Sequence, residues 1–165
     1  MRLSKNFTLH ELTHSNTALR LGIDNTPTKD GIHKLTILAN SILQPIRNSL
    51  GPLRITSAFR SESVNVAIGG SSNSQHCRYE AVDCQFYKNS KMDNIKIYET
   101  LLKLGLEFDQ CILEFGDSSE SQDPSFPAWV HLSYKMADNR KEVLVAYKND
   151  SHKTKYRKPI NYKTL

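Results

Sequence analysis

The stretch Ser74–Asp83, which reads Ser-Gln-His-Cys-Arg-Tyr-Glu-Ala-Val-Asp, places a histidine and a carboxylate seven positions apart. His76 lies at the end of a loop rich in Gly and Ser, and Asp83 lies on the strand that is predicted to follow. A second histidine, His131, lies in the stretch Trp129–Tyr134, which is predicted to be another strand. Two imidazoles and one carboxylate are typical of a catalytic zinc site, in which three protein ligands leave one position open for water. The sequence therefore indicates a zinc hydrolase.

The composition is ordinary for a globular domain, with 165 residues, 38% hydrophobic and 24% charged. This length is sufficient for one domain with a core of its own. The chain has no run of about 18 apolar residues, so membrane insertion is not expected. Residues 1–6 lack the features of a signal peptide, and the three cysteines, Cys77, Cys84 and Cys111, cannot all pair within one chain. We therefore expect free thiols.

The order of the predicted elements indicates an α+β fold, in which helices pack against a small, mainly antiparallel sheet. A first helix begins after Thr8, whose side chain is predicted to form a capping box with Glu11, and runs to about residue 18. A longer helix covers residues 28–50, and Pro45 is expected to kink its last turns. A further helix is predicted at 91–104, and strands are predicted at 53–59, 80–86, 109–115, 128–134 and 142–147. The last of these strands is predicted to lie at an edge of the sheet.

Positive charge is concentrated at the C-terminus. Residues 148–165 contain six Lys or Arg and one acidic residue, which gives +5, the same as the net charge of the whole chain. We therefore predict a single domain over residues 1–147, followed by a basic tail over residues 148–165. Such a tail either holds a protein near a polyanion or is a solvated terminus. Because residues 1–147 are neutral overall, nucleic-acid binding is not expected.

A second zinc motif competes with the first. Residues 10–14 read His-Glu-Leu-Thr-His, which matches the H-E-x-x-H pattern of helical zinc proteases. On a helix, His10 and His14 would share one face, with Glu11 beside them. However, the match begins only ten residues into the chain, and Glu11 already has a structural role in the capping box. We therefore predict a surface helix at this position, and a metal site formed by His76, Asp83 and His131.

Three blocks of the sequence together resemble a known family. They are Ser74-Gln75-His76, Ala81-Val82-Asp83 and Trp129-Val130-His131-Leu132-Ser133-Tyr134. In these blocks the chain is similar to the zinc D-alanyl-D-alanine carboxypeptidases and related L,D- and D,D-peptidases of peptidoglycan, in particular to their small phage and prophage members. The resemblance implies the α+β fold that is also found in hedgehog signalling domains. It further implies that His76, Asp83 and His131 bind Zn²⁺, that Ser74 binds the terminal carboxylate of the substrate, and that Tyr79 replaces a smaller residue.

The chain departs from the family at the residue that carries the proton. Related enzymes have an acidic residue or a histidine three or two positions before the last ligand, but this chain has Ala128 and Trp129 there. Glu114 is the replacement that we predict as general base, because an acidic residue among Ile, Leu and Phe is costly unless it is used or paired. Asp109 is the alternative base, and a structural ion pair is the alternative role for Glu114.

Two further side chains are predicted to line the site. Arg60 is expected to supply positive charge to the oxyanion or to a substrate carboxylate, with a surface salt bridge as its alternative role. Trp129 is expected to contact the substrate. A hairpin between the strands that carry Glu114 and His131 would place these two residues opposite each other on the same face.

These residues predict a zinc-dependent peptidase that hydrolyses a peptide bond in the stem peptide of peptidoglycan, and that is expected to be a monomer. The alternative is a catalytically inactive binding module of the same fold that keeps zinc for its structure. Because residues 1–6 do not resemble a signal peptide, we expect synthesis in the cytoplasm and access to the cell wall at lysis.

Overall fold

The structure, a computed structural model, describes residues 1–162 and contains a seven-stranded sheet. The strands are β1 (Leu53–Ser57), β2 (Ala81–Lys88), β3 (Lys91–Met92), β4 (Gln110–Glu114), β5 (Trp129–Ser133), β6 (Glu142–Lys148) and β7 (Thr154–Arg157). Their order in the sheet is β1-β2-β5-β4-β6-β7, and the short β3 pairs with β2. Every pair is antiparallel except β4 with β6. The predicted α+β class with a mainly antiparallel sheet is confirmed.

The helices of the described residues are α1 (Leu9–Thr13), α2 (Asn16–Leu21), α3 (Lys29–Leu38), α4 (Gln44–Leu50), α5 (Glu62–Ala67) and α6 (Ile95–Lys103). The capping box at the start of α1 is confirmed, because the backbone N–H of Glu11 donates to the Thr8 hydroxyl and the backbone N–H of Thr8 donates to the Glu11 carboxylate. The predicted first helix is divided in two, since Ser15 caps a new helix. Within residues 1–162 no helix is long and apolar enough to cross a membrane.

The predicted helix over residues 28–50 is present, and its irregularity lies just before Pro45. Residues Ala39–Leu43 form a π-helical turn between α3 and α4. Pro45 has no N–H to donate to the preceding turn, which accounts for a wider turn at this point. The expected kink is therefore a π-helical turn, and Leu35, Ile42 and Ile46 still point into the core across it.

The two faces of the sheet differ in chemistry because side chains alternate along each strand. On one face Cys84, Leu113, Val130 and Leu132 are fully buried in a single hydrophobic core with residues of α3, α4 and α6. The opposite face carries Asp83, Glu114 and His131, which lie on β2, β4 and β5. The sheet therefore packs on the helices with one face and presents its polar residues on the other. Cys77, Cys84 and Cys111 are free thiols, as predicted.

The C-terminal part of the sheet differs from the sequence prediction. The strand at Glu142–Lys148 is not an edge strand, because it pairs with β4 on one side and with β7 on the other. The boundary predicted at residue 147 falls within this strand, and the basic segment after it supplies the edge strand β7. The buried Asp123 holds that segment, since its carboxylate accepts hydrogen bonds from Arg157 Nη1 (2.6 Å) and from the backbone N–H groups of Ile160 and Asn161.

Candidate metal centre and catalytic groove

The register of three neighbouring strands places the polar residues of the open face side by side. Asp83 of β2 pairs with His131 of β5, and His131 in turn pairs with Ile112 of β4. Glu114 pairs with Trp129, so the expectation that it lies directly opposite His131 is wrong by two residues. Because a shift of two keeps a side chain on the same face of a strand, Glu114 remains on the face that carries Asp83 and His131.

His76, Asp83 and His131 form a compact cluster of metal-ligating groups. One ligand atom from each of the three lies within 4.8 Å of the other two. Asp83 Oδ1 is 3.3 Å from His76 Nε2 and 3.0 Å from His131 Nδ1. The two imidazoles are buried, and their rings meet edge to face at 5.1 Å between centroids. Two nitrogens and one oxygen that converge in this way fit the ligand set of a zinc ion.

The other ring nitrogen of each histidine has a protein partner. His76 Nδ1 lies 2.6 Å from the carbonyl oxygen of Ala58, and His131 Nε2 lies 3.3 Å from Gln75 Oε1. Both partners are oxygens that can only accept, so each of these nitrogens carries the hydrogen. His76 Nε2 and His131 Nδ1 are the nitrogens that face Asp83 and that would bind a metal. Partners of this kind orient the ligands of metal sites.

Asp83 has the protonation state that a metal ligand requires. Burial alone would raise the pKa of its carboxyl, but the charge of His76 and the hydrogen bonds from His131 and His76 outweigh burial and hold the pKa well below its usual range. Asp83 is therefore an ionised carboxylate across the neutral pH range.

The three residues of the cluster line a groove of about 820 Å³. Arg60 and Ser74, 3.5 Å apart between Nη2 and the hydroxyl oxygen, also line this groove, as do Glu114 of β4 and Trp129 of β5. All the residues that the sequence singled out as metal, catalytic or substrate-binding residues therefore line one groove, namely Arg60, Ser74, His76, Asp83, Glu114, Trp129 and His131.

Comparison with known proteins places the chain in a family. The sequence model of the peptidase M15 family matches residues 5–109, which is more than half of the chain. This chain is a member of the peptidase M15 family. No curated protein matches it. The matched region of the M15 chain includes His76 and Asp83, whereas Glu114, His131 and strands β4 to β7 follow it.

Glu114 of this M15 chain is a partly buried carboxyl group on the open face. Burial and, to a smaller extent, the negative charge of Asp83 raise its pKa to about 7, against the opposing effects of His131 and Arg60 and of a hydrogen bond from Trp129. A carboxyl group with a pKa near neutrality can both accept and release a proton under physiological conditions. Trp129 also packs edge to face on Phe115, which fixes its indole beside Glu114.

Arg60 brings positive charge to the groove. Its Nη2 lies 3.5 Å from the hydroxyl of Ser74, and its Nε is buried without a hydrogen-bond partner. No acidic side chain within residues 1–162 forms a salt bridge with it, in contrast to the alternative role considered from the sequence. A guanidinium with free donors beside a groove is suited to bind a carbonyl or carboxylate oxygen.

The structure excludes Asp109 as the alternative base. This residue is fully buried, outside the groove, and its carboxylate is bound by Lys135 at 3.0 Å and by Arg140 at 2.6 Å. It is therefore held as the centre of an ion-pair cluster, away from any site that a substrate can reach.

The competing zinc motif does not form a metal site. His10 and His14 are exposed, with ring centroids 5.2 Å apart, and Glu11 is engaged by Thr8. Within the described part of the chain, no third ligand joins these two histidines in a cluster.

Sequence reasoning missed the contribution of β7 to the groove. Tyr156 pairs with Ala146, which pairs with Glu114, so Tyr156 and Glu114 share the open face on either side of a small residue. Burial raises the pKa of the Tyr156 phenol, and the negative charges of Glu114 and Asp83 raise it further. Thr154 and Tyr156 both line the groove. The alternation of Thr154 and Tyr156 with Lys155 and Arg157 was the available signal, but the high charge of the segment concealed it.

Proposed function

We propose that this M15 metallopeptidase is a zinc enzyme that hydrolyses a peptide bond in the stem peptide of peptidoglycan. The observation that carries the proposal is the position of Glu114. It is a carboxyl group with a pKa of about 7 on the face that also holds the His76, Asp83 and His131 cluster. A metal-ligand cluster without such a group would suit a structural site, whereas the two together suit hydrolysis.

The donor set fits zinc, with His76 Nε2, His131 Nδ1 and a carboxylate oxygen of Asp83 as the protein ligands. When bound there, zinc would polarise the scissile carbonyl and lower the pKa of a water molecule towards neutrality. Three protein ligands leave room for this chemistry, as in other catalytic zinc sites.

Glu114 has the proton-transfer role in this proposal. Its carboxylate takes a proton from the attacking water and passes that proton to the amine that leaves when the C–N bond breaks. The pKa of about 7 suits both halves of the transfer, because the group is neither a very weak base nor a very weak acid at neutral pH.

Arg60, Ser74 and Trp129 bind the substrate. The free donors of Arg60 would stabilise the oxyanion or bind a carboxylate of the stem peptide, and the Ser74 hydroxyl, 3.5 Å from Arg60 Nη2, supplies a further donor. Trp129 and Tyr156 provide apolar surface along the groove. Anionic stem peptides carry carboxylates that match this positive charge.

The experiment is to incubate the zinc-loaded chain with purified peptidoglycan and to analyse the soluble products by mass spectrometry. We expect new amine and carboxyl termini within the stem peptide, no products after treatment with a chelator, and recovery when zinc is added back. Addition of magnesium in place of zinc is the control and should restore nothing. Intact peptidoglycan in the presence of bound zinc would instead favour the inactive binding module.

A further inference from the structure

A chain of buried hydrogen bonds leads away from the metal site into the protein. His131 Nε2 lies 3.3 Å from Gln75 Oε1, and Gln75 Nε2 donates to Asp109 Oδ2 at 2.8 Å. All three side chains are buried, and Asp109 is completely inaccessible to solvent. The backbone of Gln75 directly precedes His76, so one residue connects the two histidines of the cluster.

Asp109 is the last residue of this series of hydrogen bonds, and its contacts determine its charge. Asp109 receives hydrogen bonds from Arg140 Nη2 at 2.6 Å, Arg140 Nε at 3.0 Å and the backbone N–H of Arg140, and Lys135 Nζ lies 3.0 Å away. Burial alone would raise the pKa of Asp109, but the hydrogen bonds from Arg140 and Lys135 hold it well below its usual range. An ionised carboxylate can only accept hydrogen bonds.

The ionised Asp109 determines which groups donate in the hydrogen bonds between it and His131. Because Asp109 can only accept, the Gln75 amide must turn its NH₂ group towards Asp109 and its oxygen towards His131. That oxygen also can only accept, so it favours a hydrogen on His131 Nε2 and holds this edge of the ring towards Gln75. The Nδ1 edge therefore faces the cluster, 3.0 Å from Asp83 Oδ1.

We propose that Gln75 and Asp109 are positioning residues that hold the His131 ring in the orientation that presents Nδ1 to the metal, with the Gln75 oxygen accepting the Nε2 hydrogen when zinc is bound. The inference rests on the zinc site of the proposed function. Loss of such outer partners typically weakens metal binding by about 10–100-fold. Arg140 and Lys135 also bind the Asp109 carboxylate, so they keep it in place as the partner of Gln75.

The test compares two buried glutamines. Gln75→Met keeps the size of the side chain and removes its hydrogen bonds, and Gln44→Met does the same at an amide of equal exposure (8% for both residues) that is bonded to Ser4 and Asn6, on the helical side of the molecule. Zinc affinity is measured on the folded proteins by competition with a chromophoric chelator. We expect about 10–100-fold weaker binding for Gln75→Met. The Gln44→Met variant should bind zinc as the unmodified chain does, even where its stability is reduced.

A second measurement does not depend on zinc. In the metal-free protein, nuclear Overhauser contacts from the carbon-bound hydrogens of the His131 ring report its orientation. We expect one orientation in the unmodified chain and in Gln44→Met, and a changed or averaged orientation in Gln75→Met. An unchanged ring orientation together with unchanged zinc affinity in Gln75→Met would overturn the inference while leaving the zinc site intact. Failure of the unmodified chain to bind zinc would count against the proposed function, and the NMR result would still decide the role of Gln75.

Discussion

Asp83 and His131 are directly opposite each other on β2 and β5, with Asp83 Oδ1 3.0 Å from His131 Nδ1. Two of the three candidate ligands are therefore positioned by the register of one antiparallel strand pair in the middle of the sheet. The third, His76, comes from a loop, but its Nδ1 is fixed by the Ala58 carbonyl. The metal site is thus built on the middle of the sheet and on a loop residue that the Ala58 carbonyl orients.

Removal of a ligand should abolish zinc binding without unfolding the sheet. We expect about one zinc ion per chain in the unmodified protein and essentially none in His131→Ala, measured by elemental analysis after dialysis. The matched control is His10→Ala, which changes the competing motif on the exposed helix α1. Loss of zinc from the His10→Ala protein, with zinc retained in His131→Ala, would show that zinc binds at α1 and not at the His131 cluster.

Glu114→Gln should remove catalysis and leave zinc in place. A general base contributes about 10²–10⁴-fold to the rate, so kcat on peptidoglycan fragments should fall within that range at unchanged zinc content. Glu142→Gln is the control, because Glu142 is another carboxylate beside the groove but is paired with Arg140 and bonded to Gln110. Its activity should change by only a few-fold.

The pH profile provides a separate check on Glu114. The base must be deprotonated, so kcat/KM should rise with pH through its pKa. That pKa is about 7 in the metal-free protein, and a nearby zinc ion would lower it. The rising limb should therefore lie at or below about pH 7 and should disappear from the residual activity of Glu114→Gln. A rising limb that persists unchanged in this variant would assign the base to another group.

Tyr156→Ala should weaken substrate binding. Tyr156 lines the groove from β7, and its side chain is not needed to fill the core because more than half of the residue is exposed (56%). We expect KM for a stem-peptide substrate to rise several-fold with little change in kcat, as measured by initial rates. Tyr87→Ala is the control, since Tyr87 is an exposed tyrosine at the end of β2 outside the groove. Equal effects of the two substitutions would show that β7 does not contribute to the site.

Gly31 and Tyr79 should be coupled in stability. Tyr79 has a left-handed backbone (φ 64°), and its ring stacks on Phe59 at 4.1 Å between centroids. A Cβ atom at Gly31 would lie 2.3 Å from that ring, so Gly31→Ala should cost about 1–3 kcal/mol of unfolding free energy. In a Tyr79→Gly background the clash is absent, and the same change should be neutral or stabilising by up to about 1 kcal/mol. Denaturant unfolding of the four proteins measures the coupling. If Gly31→Ala lowered the unfolding free energy equally in both backgrounds, Gly31 would not be in contact with the Tyr79 ring.

The metal ligands could be predicted from the sequence more completely than the register and the edge strand of the sheet around them. His76, Asp83 and His131 could be found because their spacing and residue types are specific, and because alternation along a strand assigns a face to Asp83 and to His131. The position of Glu114 was predicted to the correct face but two residues out of register, since register depends on where the turn at residues 116–127 closes. Strand β7 was missed because its short alternation lies in a strongly charged segment, and because its pairing with β6 and its anchorage at Asp123 depend on contacts between distant residues.

Anomalous diffraction at the zinc absorption edge, from crystals grown with one equivalent of zinc, locates the metal in the molecule. We predict a single strong peak about 2.0–2.2 Å from His76 Nε2, from His131 Nδ1 and from a carboxylate oxygen of Asp83. A peak beside His10 and His14, or no peak among His76, Asp83 and His131, would show that these three residues are not the zinc site.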